Sequence, residues 1–320
     1  MYEIKNGHFN YFQKYYSKIF YVITFENYRF SLNFCKHNNI MDSKLSISEK
    51  TLEELLTETL DYSLCITIDK GKEVWVVTGM LVQYLESLTD SVSVKDGDEI
   101  VGTIGGKEIL EELLKNPSQS LFYGTLVEEI MEKNPIKVTR QTKYKELISQ
   151  WRKRGRAYAI FPNRWGHYSA ISAKKILEIG MRCKTNLSIS SLPKKPIITF
   201  KPDDSLGTVI HTMFENKTRK ILLENSNKYI NDRMILETIS EKLGYLKNID
   251  NFLELPANTI ELEEARVITD DLKINEVSAM MYDMEHPYVI YKDMLVTPWD
   301  ICMALLSENI TQYIAQKIKD

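Results

Sequence analysis

Between residues 134 and 306 the apolar positions run through the same succession three times. A short apolar run comes first: NPIKVT (134–139), KPIITF (195–200) and ARVITD (265–270), each with the length and β-branched content of a strand. Apolar residues at helical spacing follow, in YKELISQW, SLGTVIHTMF and INEVSAMMYDM. Two more short runs then lead to a closing helix entered at KKIL (174–177), RMIL (233–236) and WDIC (299–302). Thr139, Thr199 and Thr269 are 60 and 70 residues apart, and Lys175, Met234 and Asp300 at the matched helix starts are 59 and 66 apart. Such self-similarity marks one supersecondary unit repeated, here strand, helix, strand, strand, helix.

The stretch before these repeats is less regular. Ser46 with Glu49 suits a capping box, and Leu52, Leu55, Leu56 and Leu60 form one helix face. LCITIDKGKEVWVV reads as a hairpin turning at Asp69-Lys70-Gly71-Lys72, with a helix after it carrying Met80, Leu81, Tyr84, Leu85 and Leu88. SVSVKDGDEIVGTIGG reads as a second hairpin, turning at Asp96-Gly97 and entering the helix KEILEELLK. The pattern leaves open which hairpin belongs to a repeat. Residues 1–40 share no period with the rest, and twelve of the forty are Phe or Tyr. With Met41 next, the expectation is an upstream extension outside the fold; a membrane-surface or partner-binding arm is the functional alternative.

The most informative stretch is Tyr288 to Leu306. A strand (288–291), a Lys292-Asp293 turn and a second strand (294–297) lead into an apolar helix opened by Asp300. Thr297 and Asp300, three residues apart where strand becomes helix, can point into one crevice beside the first helical N–H groups. A ribose diol and a phosphate fit that geometry. A plain helix cap is the competing account, since Asp and Thr are usual there.

Composition acts by exclusion. A chain of 320 residues with 43% hydrophobic and 27% charged content has the make-up of a soluble globular protein of two or more compact units. Cys35, Cys65, Cys183 and Cys302 lie far apart with no C-x-x-C, which argues against a zinc ribbon or a disulfide framework. His8, His37, His167, His211 and His286 are scattered, and neither a metal-ligand spacing nor a nucleophile paired with a base is written in the sequence. No apolar run approaches the roughly 20 residues of a membrane-spanning helix. The expectation is a non-enzymatic protein of the cytoplasm with no metal.

KPIITFKPDDSLGTVIHTMFENKTRKILLEN and DMLVTPWDI resemble the cystathionine-β-synthase (CBS) domain family, the first its opening strand, helix and basic-residue strand, the second its closing strand and T-x-x-D helix start. The resemblance implies an α/β (α+β) fold of four units, 44–118 (atypical, with an additional hairpin), 122–184, 186–247 and 258–315, paired into two modules after a 1–43 extension. It further implies an adenosine nucleotide (AMP, ADP, ATP or S-adenosylmethionine) as ligand, with no other cofactor. Thr297 and Asp300 would hold the ribose, Val267 and Ile268 the adenine, and Arg219, Lys220 and Arg233 the phosphate; Trp299 departs from the family, replacing a usually small residue beside the aspartate, and would either stack on the adenine or fill the cleft. The other helix starts depart from the pattern: Gly105 with Glu108, Ser172 with Lys175, Asn231 with Met234. A nucleotide sensor without a visible catalytic domain would act through a protein partner or through self-assembly, with a homodimer expected.

Charge adds a separate feature. Residues 41–132 hold 19 acidic and 7 basic residues, whereas 133–184 hold 14 basic and 2 acidic, a split hidden by the net charge of −3. Arg152, Lys153, Arg154, Arg156 and Lys175 stand in the basic block, interleaved with Trp151, Tyr158, Phe161, Trp165 and Tyr168. Three uses fit: a polyphosphate ligand, a nucleic-acid backbone along 137–184, or pairing with the acidic first repeat. A nucleic-acid-binding protein and a ligand-free scaffold are therefore the alternatives to a nucleotide sensor.

Overall fold

The computed structural model describes residues 40–42, 46–83, 91–246 and 248–315. The chain divides into two compact units, Met1–Ser43 with Tyr313–Asp320, and Lys44–Gln312. In the first, strand Ile40–Asp42 is antiparallel to the end of strand Thr311–Ala315, with Ile40 opposite Ala315 and Asp42 opposite Tyr313. Residues 1–39, most of the expected extension, lie outside the described residues.

Lys44–Gln312 contains four copies of a strand-helix-strand-strand-helix repeat, an α+β arrangement. The first repeat comprises strand Thr67–Asp69, helix Val74–Gln83, hairpin Ser91–Asp96 with Glu99–Gly105, and helix Gly106–Leu113. The second has helix Tyr144–Arg154, hairpin Tyr158–Pro162 with Tyr168–Ser172, and helix Ala173–Met181; its opening segment is the parallel bridge of Lys137 to Ile160. The third runs Thr199–Phe200, Leu206–Glu215, Lys220–Leu223, Lys228–Asn231 and Asp232–Leu246. The fourth runs Arg266–Ile268, Ile274–Tyr282, Val289–Tyr291, Met294–Val296 and Pro298–Ala304. In each, the opening segment pairs in parallel with the middle strand, as Thr67 does with Ser93 and Val267 with Ile290. Parallel neighbours require a crossover, which the first helix of each repeat supplies.

That requirement corrects the expected first hairpin. The turn at Asp69 is present, with Lys72 N–H donating to the Asp69 carbonyl (3.1 Å) and Gly71 N–H to Asp69 Oδ1 (2.9 Å), but Val74 opens a helix instead of a strand. Helical spacing puts Val74, Val77 and Leu81 into the core, so packing overrides the β preference of VWVV. Only the hairpin Ser91–Gly105 is found in this repeat among the described residues; Tyr84, Leu85 and Leu88 lie outside them. The expected cap at Ser46 also moves. Ile47–Glu49 is a single 3-10 turn, Ser46 Oγ bonds Ser48 Oγ, and the capping box is Thr51 with Glu54, whose carboxylate accepts from Thr51 N–H at 2.7 Å. It opens helix Leu52–Leu56, which buries Leu52, Leu55 and Leu56.

Sheets join repeats that follow one another, and helices join alternate ones. Ile100 of the first repeat packs with Tyr158, Ile160 and Ala170 of the second, and Tyr229 of the third meets Tyr288 of the fourth edge-on at 5.6 Å. Helix Asp232–Leu246 lies on both helices of the first repeat, and Ala173–Met181 on both of the fourth. One apolar core therefore runs through the first and third repeats and another through the second and fourth. The second is close: a Cβ at Gly180 would collide with the Ser278 side chain, and the buried Tyr144 hydroxyl donates to the Cys302 carbonyl at 2.8 Å.

Candidate functional site

The four helix starts fall at equivalent places in the repeats, and their side chains are engaged in four different ways. In the first, Glu108 Oε2 accepts from Gly105 N–H at 2.9 Å, while Oε1 takes the Arg156 guanidinium. Arg156 also donates to Glu132 (2.7 Å) and to Ser91 Oγ (2.6 Å). In the second, Ser172 Oγ accepts from Lys175 N–H and the Lys175 ammonium pairs with Glu178, which also accepts from Thr59 Oγ1 at 2.8 Å and from the Tyr282 hydroxyl at 3.2 Å. In the third, Asn231 Oδ1 caps Met234 N–H at 2.8 Å and brings no charge.

The fourth start differs. Asp300 Oδ2 accepts from Thr297 N–H (2.9 Å) and Thr297 Oγ1 (2.8 Å), which fixes the carboxylate. Its Oδ1 faces the ammonium of Lys195 at 2.5 Å. Asp300 is 8% exposed, whereas the Lys195 side chain is 54% exposed. One oxygen of the carboxylate thus caps the helix and the other is paired with Lys195. The helix itself offers a phosphate little: it has seven residues, Pro298 carries no N–H, and the Thr297 N–H is already given to Asp300.

Of the residues expected on the adenine side, Val267 is 49% exposed and Ile268 buried, on a strand paired with Val289–Tyr291. That hairpin leads through Met294–Val296 into Thr297. Trp299 turns elsewhere, packing on the core with its ring 6.4 Å from that of the fully buried Trp151.

On the phosphate side the three basic residues part company. Arg219 makes two bonds, at 2.7 and 2.6 Å, to Oδ2 of the buried Asp232, which itself lies against Gly106 of the first repeat. Lys220 holds its ammonium 3.7 Å over the Tyr288 ring, joining the third and fourth repeats. Arg233 has Nε and Nη2 buried and without a hydrogen-bond partner. His286, 6.1 Å from Tyr229, is lowered below the ordinary histidine pKa chiefly by burial; Glu263 and Glu285 pull it up, and Arg233 and Lys174 push it further down.

Seven of the fourteen basic residues in the block are turned onto the acidic residues before it. Lys143 (3.2 Å) and Lys145 (2.7 Å) pair with Glu49, Arg140 and Arg164 with the buried Asp61, Arg154 (3.3 Å) and Arg156 with Glu132, and Lys137 with Glu99 (3.6 Å). Glu49 is lowered by Lys145 and then by Lys143, as two cations on one carboxylate dictate. Arg152 and Lys153 are exposed at the end of helix Tyr144–Arg154, apart from Lys175, which is buried with Glu178. The five patch residues therefore do not form one surface.

Sequence reasoning missed Lys195, Glu132 and Asp232. Lys195 stood in the strand-like run KPIITF, yet strand pairing begins only at Thr199. Among the described residues no helix is long and apolar enough to cross a membrane, and no group of three or more His, Cys, Asp or Glu is placed to hold a metal ion.

No family model matches the sequence, and no curated protein does. Solved structures do. A putative archaeal homolog of γ-AMPK from Methanocaldococcus jannaschii superposes with a TM-score of 0.60 at 15% identity, over 76% of this chain and 96% of that one. A CBS-domain containing protein of Agrobacterium tumefaciens (TM-score 0.35, 14% identity, 41% and 93% covered) and the CBS domain of a bacterial CNNM/CorC family Mg2+ transporter in complex with ATP (0.31, 20%, 42% and 88%) match shorter stretches. The first is similar in fold over most of the chain; the other two scores are too low to bear on it.

Proposed function

We propose that this chain, which has the fold of CBS-domain proteins in four repeats, is a regulatory protein that binds an adenosine nucleotide at Asp300. The observation that carries the reading is the divided engagement of that carboxylate. One oxygen is held by Thr297, and the other meets only a half-exposed lysine. A carboxylate fixed in this way can accept from ribose hydroxyls once the lysine moves aside. Val267, apolar and half exposed, with Ile268 behind it, offers the base a wall, and Arg233 and Lys220 are the cations suited to phosphate. Arg219 and Trp299 take structural parts in this reading, on Asp232 and Trp151.

AMP, ADP, ATP and S-adenosylmethionine share the ribose and the base and differ in what lies beyond. A ligand between the third and fourth repeats biases how they pack, and that bias reaches a protein partner or a second copy as an allosteric signal. A thermal-shift panel of the four compounds tests the reading. A ligand at 100 times its dissociation constant should stabilise the protein by about 2.7 kcal/mol, and no shift with any of them would remove the assignment.

A further inference from the structure

Lys195 lies in Pro193-Lys194-Lys195-Pro196, within the segment that joins the second and third repeats. Residues 193–198 form neither helix nor strand, and the two prolines have no N–H to give. The segment nevertheless lies along the fourth repeat. Its beginning is held by Asp271, which accepts from Ser188 Oγ (2.8 Å), Ser190 N–H (2.9 Å) and Ser190 Oγ (2.7 Å). Leu192 is buried and the Ile198 carbonyl accepts from Leu222 N–H at 2.9 Å; between these two anchors the segment is held to the fourth repeat by two ion pairs, Lys194 with Asp293 at 3.7 Å and Lys195 with Asp300 at 2.5 Å. The side chains of the first pair are 79% and 74% exposed, so solvent screening leaves it little weight. Lys195 to Asp300 is the tether.

The first repeat has the same device in a locked form. Its helix-start carboxylate, Glu108, is likewise occupied by a cation from a neighbouring repeat, but that cation is Arg156, clamped as well by Glu132 and Ser91 and 10% exposed. At Asp300 the occupant is one lysine on a chain segment of little regular structure. The same carboxylate position is thus paired with a largely buried arginine in the first repeat and with a half-exposed lysine in the fourth.

We propose that Lys195 is an internal occupant of the Asp300 cleft, which a nucleotide must displace, so that binding frees the segment between the second and third repeats. This rests on the nucleotide reading above and gives that site its output: the ligand competes with a tether. A competitor of this kind lowers the apparent affinity by the fraction of molecules in which the cleft is open.

Two measurements on the full chain test it. Calorimetric titration with ATP should show Lys195→Met binding roughly three- to fivefold more tightly than wild type, the range an ion pair of this exposure supports. Equal or weaker binding by Lys195→Met overturns the proposal. Limited trypsin cleavage after Lys194 reads the tether without ligand, because proteolysis follows the open population. Asp300→Asn, which leaves the cleaved sequence intact, should be cut there roughly two- to fivefold faster, and saturating ATP should speed the cut in wild type but not in Asp300→Asn. An unchanged cut in Asp300→Asn overturns the tether by itself. Absence of ATP binding in every protein, with a faster cut in Asp300→Asn, removes the nucleotide reading and with it the release step while leaving the ion pair established.

Discussion

Replacing Arg156 with Met deletes a guanidinium that joins the first two repeats through Glu108, Glu132 and Ser91. The Glu108 side chain is 6% exposed, so the substitution leaves a buried carboxylate whose remaining support is the Gly105 N–H at 2.9 Å. Deleting one partner of a buried ion pair costs about 3–5 kcal/mol, most of it the penalty on the charge left behind. Glu132 is more exposed and is partly rescued by water, which places the expected loss near the lower end, about 3 kcal/mol. Because the cost belongs to the orphaned charge, Glu108→Gln in the same protein should recover much of it, leaving a net loss of about 1–2 kcal/mol, smaller than that of Arg156→Met alone. Urea unfolding followed by circular dichroism measures both, with an unchanged m-value as the check that only stability has moved. A loss under about 1 kcal/mol for Arg156→Met, or additive losses in the double variant, would refute the reasoning. Unchanged stability with weaker, salt-sensitive binding to nucleic acid would instead return the basic block to a polyanion surface.

Tyr144→Phe removes the buried hydroxyl that donates to the Cys302 carbonyl across the second core; a loss of about 1 kcal/mol in urea unfolding is expected. Arg219→Ala should lower stability by about 1 to 2 kcal/mol, since it strands the buried Asp232, while ATP and adenosine affinities keep their ratio; a selective loss of ATP binding would put Arg219 back on phosphate. His286 is lowered mainly by burial, so its neutral form belongs to the folded state and its contribution is present above about pH 6.5 and lost as pH falls through the folded value. His286→Gln should therefore flatten the fall in urea midpoint between about pH 6.5 and pH 5, and an unaltered profile would contradict that assignment.

The repeat and its strand-helix-strand-strand-helix order could be read from the sequence because each copy shows a clean change of period, from short apolar runs to helical spacing at YKELISQW, SLGTVIHTMF and INEVSAMMYDM. The first repeat resisted because VWVV has strand chemistry, and only the parallel pairing of Thr67–Asp69 with Ser91–Asp96 makes a helix necessary there. Thr297 and Asp300 were legible as a pair because they are local to one another. Lys195, 105 residues from Asp300, was not, and neither was the capture of Arg219 by Asp232, since a long cation has several carboxylates within reach and burial decides among them. The charge split between 41–132 and 133–184 was visible in sequence, and the ion pairs at Glu49, Asp61, Glu108 and Glu132 show what much of it is spent on.

Calorimetric titration of wild type and Asp300→Asn with ATP and AMP tests the central claim most directly. Asn can still accept from the Thr297 N–H and so preserves much of the cap, but it carries no charge for a ribose diol. Two charge-assisted bonds at about 1.5 kcal/mol each, less up to about 1 kcal/mol returned by releasing Lys195, leave a loss of about 2 kcal/mol, or at least about tenfold in affinity. The account predicts that loss for both nucleotides with an unchanged fold. Equal affinity in the two proteins, or no binding by wild type, would contradict it and leave a scaffold whose clefts are filled by its own side chains.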